Sequence, residues 1–174
     1  MPLGIPFSAA GPQRQGANQR FNPIHRMITL PSDGASRTGQ VIADDMVIMP
    51  LQAATQWDSL AHVGYDGLFY NGVPINAVNA LNGASRNAIT GVIELLIGRA
   101  VLLDVAGPRG QRSLEAGEEV TADDLAAAAR RQMVELRAGD IVLVRTGWSQ
   151  RLASGADSGY LGPRVPGLGV SCCR

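Results

Sequence analysis

Residues 121–145, TADDLAAAARRQMVELRAGDIVLVR, decide the fold class. Thr121 is a favourable N-cap, and the two aspartates close behind it suit the first turn of a helix. The apolar side chains of this predicted helix share one face, at Leu125, Ala129, Met133 and Leu136. Residues 137–140 interrupt the helical pattern, and the apolar run at residues 141–145 predicts a buried strand.

Another apolar run precedes this helix in the chain. Residues 100–105 predict a fully buried strand, and residues 89–97 predict a short helix before it. A strand, a helix and a second strand in that order predict a right-handed crossover with two parallel strands. We therefore predict an α/β fold with a partly parallel central sheet.

The remaining segments predict shorter elements. Residues 47–51 predict a strand that follows a turn at residues 44–45, with Pro50 at an edge or a bulge. Residues 64–72 alternate glycines with aromatic residues and predict an ordered loop beside a pocket. Residues 154–169 are rich in glycine, serine and proline and predict a loop.

The composition is that of one ordinary domain. The chain has 174 residues, of which 45% are hydrophobic and 17% charged, so it can bury a sizeable core. Residues 1–20 are predicted to form a flexible N-terminal arm and residues 21–174 a single domain. Cys172 and Cys173 are adjacent, and we expect two reduced thiols because a disulfide between neighbouring residues would be strained.

The charge pattern excludes several classes of partner. Fifteen basic residues balance fifteen acidic residues, so no overall field attracts nucleic acid or an anionic membrane. The most apolar region, residues 89–106, is interrupted by three charged side chains and is too polar for a membrane span. No continuous apolar stretch of a secretory signal opens the chain. We therefore expect a cytoplasmic protein whose partner is a small-molecule substrate.

The candidate site lies at residues 55–62, TQWDSLAH. Asp58 and His62 carry the oxygen and imidazole donors that suit zinc or manganese. In an extended segment Gln52, Gln56 and Asp58 would share one face. Taken singly, Asp58 as a turn carboxylate and His62 as a buried histidine are the more common roles, so only their combination favours a site. His25 is a weaker candidate.

Other catalytic motifs are missing from the sequence. It contains no Gly-x-Ser-x-Gly elbow, no Walker-type phosphate loop and no Gly-x-Gly-x-x-Gly after a strand. A nucleotide-dependent enzyme is therefore not expected.

Several blocks in order resemble the cyclase family of metal-dependent hydrolases, which includes bacterial kynurenine formamidase, an arylformamidase. The matching blocks lie at residues 22–27, 55–72, 98–106, in the helix after Thr121 and at 137–148. The resemblance implies a cyclase-like swivelling β/β/α fold. The family also draws a histidine and a glutamate from beyond the second crossover strand, so we expect the chain to be incomplete at its C-terminus. A second copy could complete the sheet, which leaves a homo-oligomer as an open expectation.

The family signature is His-x-Gly-Thr-His-x-Asp-x-Pro-x-His, and this sequence matches it in part. Gln52 and Gln56 stand at the two histidine ligand places, Asp58 at the aspartate ligand and His62 at the final histidine, which acts as general acid and base. By resemblance, a zinc or manganese ion would be held by Asp58 with Gln52 and Gln56. The implied substrate-binding residues are Thr55, Trp57, Tyr65, Phe69 and Tyr70.

The resemblance implies hydrolysis of an amide such as N-formylkynurenine, in tryptophan catabolism, or of a cyclic ester. Two alternatives stay open. Glutamine at both histidine places favours a metal-free small-molecule-binding protein of the same fold, and the missing late ligands favour an inactive fragment.

Overall fold

The fold divides into two units in a computed structural model that describes residues 4–13, 20–154 and 159–173. The first unit is Met1–Gln56 and the second is Trp57–Arg174. The predicted division into an arm of residues 1–20 and a domain of residues 21–174 stays a prediction, and much of that arm lies outside the described residues. Within the described ranges, no helix is long and apolar enough to cross a bilayer.

The first unit is built on one antiparallel hairpin. Strand β1, Ile24–Thr29, pairs with β2, Asp44–Ile48, and the register shifts between Met27 and Thr29. The turn predicted at Asp44 and Asp45 is wrong, because both residues begin β2 and pair across to β1. The strand predicted at residues 47–51 therefore starts earlier, and it ends before Pro50, which has no N–H to give to a ladder.

The second unit contains the predicted parallel pair. Strands β7, Ala100–Asp104, and β9, Ile141–Arg145, pair in parallel, with Ala100 opposite Ile141 and Asp104 opposite Arg145. Helix α1, Ala122–Gln132, lies between them in sequence and packs against β7. The predicted α/β class with a partly parallel sheet is thus confirmed.

Two small clusters form the core of this unit. In the first, Val101 and Leu103 of β7 meet Ala128 of α1. The second cluster contains Val105, Ala106, Leu114 and Val120. Leu125 packs against both clusters, so this one helix residue joins them.

Strand β7 is buried on one face only, so the prediction of a fully buried strand is wrong. Val101 and Leu103 are buried, whereas Leu102 is 52% exposed. The reason is that α1 covers one face, and side chains alternate between the two faces of a strand. An apolar run without alternation does not reveal which face receives a helix.

Helix α1 ends earlier than its apolar spacing predicts. Met133 adopts a left-handed conformation with φ of 54°, and its N–H donates to the carbonyls of Ala129 and Arg130. Met133 is 92% exposed and Leu136 is also exposed. Placing these two residues on the buried face was therefore wrong, because the chain leaves the helix before their side chains can reach the core.

The last residue of α1 also completes one edge of the sheet. The side-chain amide of Gln132 donates from Nε2 to the Leu102 carbonyl at 2.7 Å and accepts at Oε1 from the Asp104 N–H at 2.8 Å. These backbone groups point away from β9, so Gln132 supplies hydrogen bonds that a neighbouring strand would otherwise make.

Short elements complete the second unit. The hairpins pair β3, Leu68–Phe69, with β4, Val73–Pro74, and β5, Val78–Asn79, with β6, Gly83–Ala84. The short helix predicted at residues 89–97 is a 3-10 helix at Ile89–Leu95.

The loop predicted at residues 154–169 is wrong at one place. Strand β10, Gly167–Leu168, pairs in parallel with β8, Glu119–Val120, just before α1. Residues 155–158 of that predicted loop lie outside the described residues.

The predicted N-cap of α1 is confirmed and extends into an ionic network. Thr121 accepts at Oγ1 from the Asp124 N–H at 3.2 Å, and the Asp124 carboxylate accepts from the Thr121 N–H at 2.9 Å. Arg109 donates to Asp124 at 2.6 Å and also pairs with Glu118. The Thr121 N–H, followed by the Arg109 guanidinium, lowers the pKa of Asp124 to about 2.

We predict that Asp124→Asn lowers the free energy of unfolding at pH 7 by about 1–2 kcal/mol. The folded-state pKa lies below the value of about 3.9 expected in the unfolded chain. The contribution of Asp124 is therefore present above about pH 4 and is lost as the pH falls toward 2. Urea denaturation at pH 7 and at about pH 2.5 measures the change.

Asp123→Asn is the matched control, because Asp123 is an exposed acid in the same helical turn. Only for the Asp124 variant should the difference in free energy of unfolding from wild type become smaller at low pH. Equal losses for the two variants at both pH values would contradict the role given to the capping carboxylate.

Candidate functional site

The candidate segment is a series of turns followed by irregular chain. Residues 51–55 form turns and bends, residues 56–59 have no regular structure, and the Ala53 N–H donates to the Pro50 carbonyl at 3.0 Å. The expectation of an extended segment is therefore wrong at residues 51–55, because a tight turn at Pro50 breaks the two-residue alternation that would place Gln52 and Gln56 on one face.

Three predicted site residues of the first unit, Gln52, Thr55 and Gln56, lie in this segment. Gln13 donates from Nε2 to the carbonyls of Gln52 and Ala53 at 3.0 and 3.1 Å. The Ile5 N–H donates to Thr55 Oγ1 at 2.7 Å. The described part of the predicted arm is thus hydrogen-bonded to this segment, and the Thr55 hydroxyl is already engaged.

Asp58 and His62 come together in the second unit. A turn in which the His62 N–H donates to the Ser59 carbonyl at 3.0 Å brings the chain back on itself. His62 Nε2 lies 3.9 Å from Asp58 Oδ2, with 30% and 47% of the two side chains exposed. The distance is too long for a direct hydrogen bond but close enough for electrostatic attraction, and both groups remain open to water.

A cavity of about 450 Å³ opens beside Asp58. One wall is formed by residues 57–60, including Trp57, which is 58% exposed, and the other by residues 84–92. The second wall was not predicted. The Asn82–Gly83 dipeptide, a common hairpin signal, was the feature in the sequence that could have indicated the β5–β6 hairpin leading into it.

The other predicted substrate-binding aromatics lie outside the cavity wall. Tyr65 and Tyr70 are largely exposed, and Phe69 packs beside Gly64. One hydrogen bond links this loop to the wall, because Asn87 donates from Nδ2 to the Tyr70 carbonyl at 2.9 Å. Of the five predicted substrate-binding residues, the structure places Trp57 in the cavity.

His25 has a different environment from His62. It lies on β1, exposed, with Nε2 2.6 Å from Asp45 Oδ2 on β2. This cross-strand contact accounts for both side chains as a surface pair, and a functional role for His25 stays a prediction.

The described residues do not form a zinc or manganese site on their own. Across the ranges that the structure describes, no group of three or more His, Cys, Asp or Glu side chains is placed to hold a metal. Asp58 and His62 supply two donors of the preferred kinds, whereas a zinc site needs about three protein ligands. Gln52 and Gln56 belong to the other unit, and their neutral amides are weak donors to a transition metal.

The sequence matches the family model described as "Putative cyclase" over residues 3–174. The chain therefore belongs to the cyclase family. It is similar to the crystal structure of a novel cyclase with 34% sequence identity and a TM-score of 0.82, covering 97% of this chain and 59% of that one. No curated protein matches the sequence.

Two more distant structures share the fold. Isatin hydrolase A from Ralstonia solanacearum is 20% identical with a TM-score of 0.59, covering 97% of this chain and 58% of that one. An isatin hydrolase bound to the product analogue thioisatinate is 17% identical with a TM-score of 0.56, covering 95% and 57%. The chain thus spans less than two thirds of each of these structures.

We predict that Gly64→Ala destabilises the loop that follows His62 by about 1–3 kcal/mol. Gly64 precedes a tight turn in which Tyr65 and Leu68 exchange backbone hydrogen bonds of 2.9 Å. A Cβ at Gly64 would lie 2.6 Å from the Leu68 carbonyl oxygen and 2.9 Å from Phe69 Cδ1. Urea denaturation measures the loss.

Gly91→Ala is the matched control, since a Cβ at Gly91 would meet nothing within 4 Å. That variant should be neutral or slightly stabilised. If both variants unfold at the same urea concentration, the close approach at Gly64 does not hold the loop.

Proposed function

We propose that the chain contributes to a hydrolase site that cleaves the C–N bond of an amide next to an aromatic ring. The observation that carries this proposal is that Asp58 and Trp57 line one cavity, and that His62, which is not part of the cavity wall, lies 3.9 Å from Asp58. Membership of the cyclase family supports it, and so do two fold relatives whose names describe hydrolysis of isatin.

His62 would serve as the general base and then the general acid. Its imidazole accepts a proton from water as the water oxygen bonds to the carbonyl carbon, and returns that proton to the nitrogen as the C–N bond breaks. A side chain that is 30% exposed can receive water from solvent. Asp58 would favour the imidazolium between the two steps by its negative charge.

Trp57 would position the substrate. An indole that is more than half exposed in a cavity wall offers a flat apolar surface to an aromatic ring. A volume of about 450 Å³ suits a ring with its substituents. We infer that the substrate is an arylformamide of the N-formylkynurenine type, as in tryptophan catabolism, or else a cyclic ester, and that the protein acts in the cytoplasm.

The proposed steps use no zinc or manganese, because Asp58 and His62 are only two donors and no group of three or more such side chains is found among the described residues. This observation favours a second candidate, a metal-free protein of the cyclase fold that binds a small molecule without hydrolysing it. Glutamine at both histidine places of the signature, Gln52 and Gln56, supports the same alternative.

We predict that His62→Ala lowers kcat for an N-formyl arylamine by about 100-fold or more, because the proton transfer loses its carrier. Asp58→Asn should also lower kcat, by a smaller factor, since it removes only the charge beside the imidazole. Release of formate measures turnover for each variant.

Asp66→Asn is the control, because Asp66 lies in the following turn with a φ of 51° that asparagine also accepts. Its rate should equal that of wild type. An unchanged kcat in His62→Ala would remove His62 from the mechanism, and tight binding of the arylamide with no formate released by wild type would favour the binding protein.

A further inference from the structure

We propose that Arg86 recognises a carboxylate on the substrate, so that the cavity selects aromatic acids over neutral aromatic compounds. This inference deepens the proposed function and rests on it for the identity of the cavity as a substrate site. Arg86 lies in the wall formed by residues 84–92, in the same cavity as Trp57 and Asp58.

Arg86 is one of five described arginines of the second unit for which no salt bridge is found among the described residues, and the one of those five that lines the cavity. Five others pair with carboxylates: Arg99, Arg109, Arg137, Arg145 and Arg151. Arg86 is exposed, and among the described residues its guanidinium has neither an ion-pair partner nor a hydrogen-bond acceptor. Its donors are therefore available in the cavity, in the planar arrangement that binds a carboxylate through two parallel hydrogen bonds.

The backbone on both sides of Arg86 is held in place. Ser85 donates to the Ala77 carbonyl from its N–H at 2.8 Å and from Oγ at 3.0 Å. Asn87, with a φ of 60°, donates to the Tyr70 carbonyl at 2.9 Å. The backbone at Arg86 is thus held before a ligand arrives, so that binding has to order only the Arg86 side chain.

The charges in the cavity wall would determine the orientation of a bound ligand. Asp58 makes one part of the wall negative and Arg86 makes another part positive. A carboxylate is attracted to Arg86 and repelled by Asp58, so an aromatic acid would place its anionic group at Arg86 and leave its other substituent toward Asp58. Trp57 offers the ring a surface in the same cavity.

The test compares two probes of the same shape. The whole chain is titrated calorimetrically with 2-aminobenzoate and with 2-nitroaniline, in which a neutral nitro group of similar size replaces the carboxylate. Neither molecule has a bond that the proposed reaction would hydrolyse. Wild type should bind 2-aminobenzoate at least about tenfold more tightly. Arg86→Gln should weaken 2-aminobenzoate binding by about 10–100-fold, the range expected for a charge-assisted hydrogen bond, and leave 2-nitroaniline unchanged.

Two further variants complete the test. Arg131→Gln removes the same charge from an exposed position on α1 and should bind both probes as wild type does. Arg86→Lys should retain part of the preference, because lysine keeps the charge but not the two-pronged geometry.

The outcomes separate this inference from the proposed hydrolysis. A carboxylate preference that disappears in Arg86→Gln supports the inference even when formate release is absent, in which case the hydrolase proposal alone fails. The inference is overturned if wild type binds neither probe, if it binds both equally, or if Arg86→Gln retains the affinity of wild type for 2-aminobenzoate.

Discussion

The parallel pairing of β7 with β9 is the constraint on which the second unit depends. Parallel strands cannot be joined by a tight turn, so the chain between them must cross over the sheet. Helix α1 makes that crossing and buries Val101 and Leu103 on the face that it covers. The network of Thr121, Asp124 and Arg109 then determines where the helix begins. Most of the described apolar core of this unit is a consequence of that single crossing.

The sequence predicted which helices and strands form in this arrangement better than it predicted where they end and how far they are buried. The N-cap at Thr121 and the presence of a strand at residues 141–145 follow from local chemistry, and both are confirmed. The predicted burial of that strand is wrong, because its side chains are only partly covered and Val142 is 41% exposed. The burial of β7 and the end of α1 depend on other parts of the fold. Periodicity continues through Met133 in the sequence, but the backbone turns left-handed there, and no apolar pattern records that change.

In the candidate site, too, features set by the local sequence could be predicted, and features set by distant parts of the fold could not. Asp58 and His62 are four residues apart, so a single turn suffices to bring them together, and their proximity could be predicted. The wall at residues 84–92 is distant in sequence and meets residues 57–60 only through the fold. Tyr65 and Tyr70 were predicted to bind substrate from the family resemblance, which gives a residue type at a position but not the direction in which its side chain points. The roles of Gln52 and Gln56 stay predictions, since these residues belong to the first unit.

The contact between Gln132 and β7 has a consequence for how this sheet can grow. The side-chain amide of Gln132 already occupies the Leu102 carbonyl and the Asp104 N–H on the edge of β7 that faces away from β9. Within the part of the chain that the structure describes, β9 pairs with β7 alone. An additional strand beside β7 would therefore have to displace the Gln132 side chain, whereas a strand beside β9 would not, so enlargement of the sheet is favoured at β9.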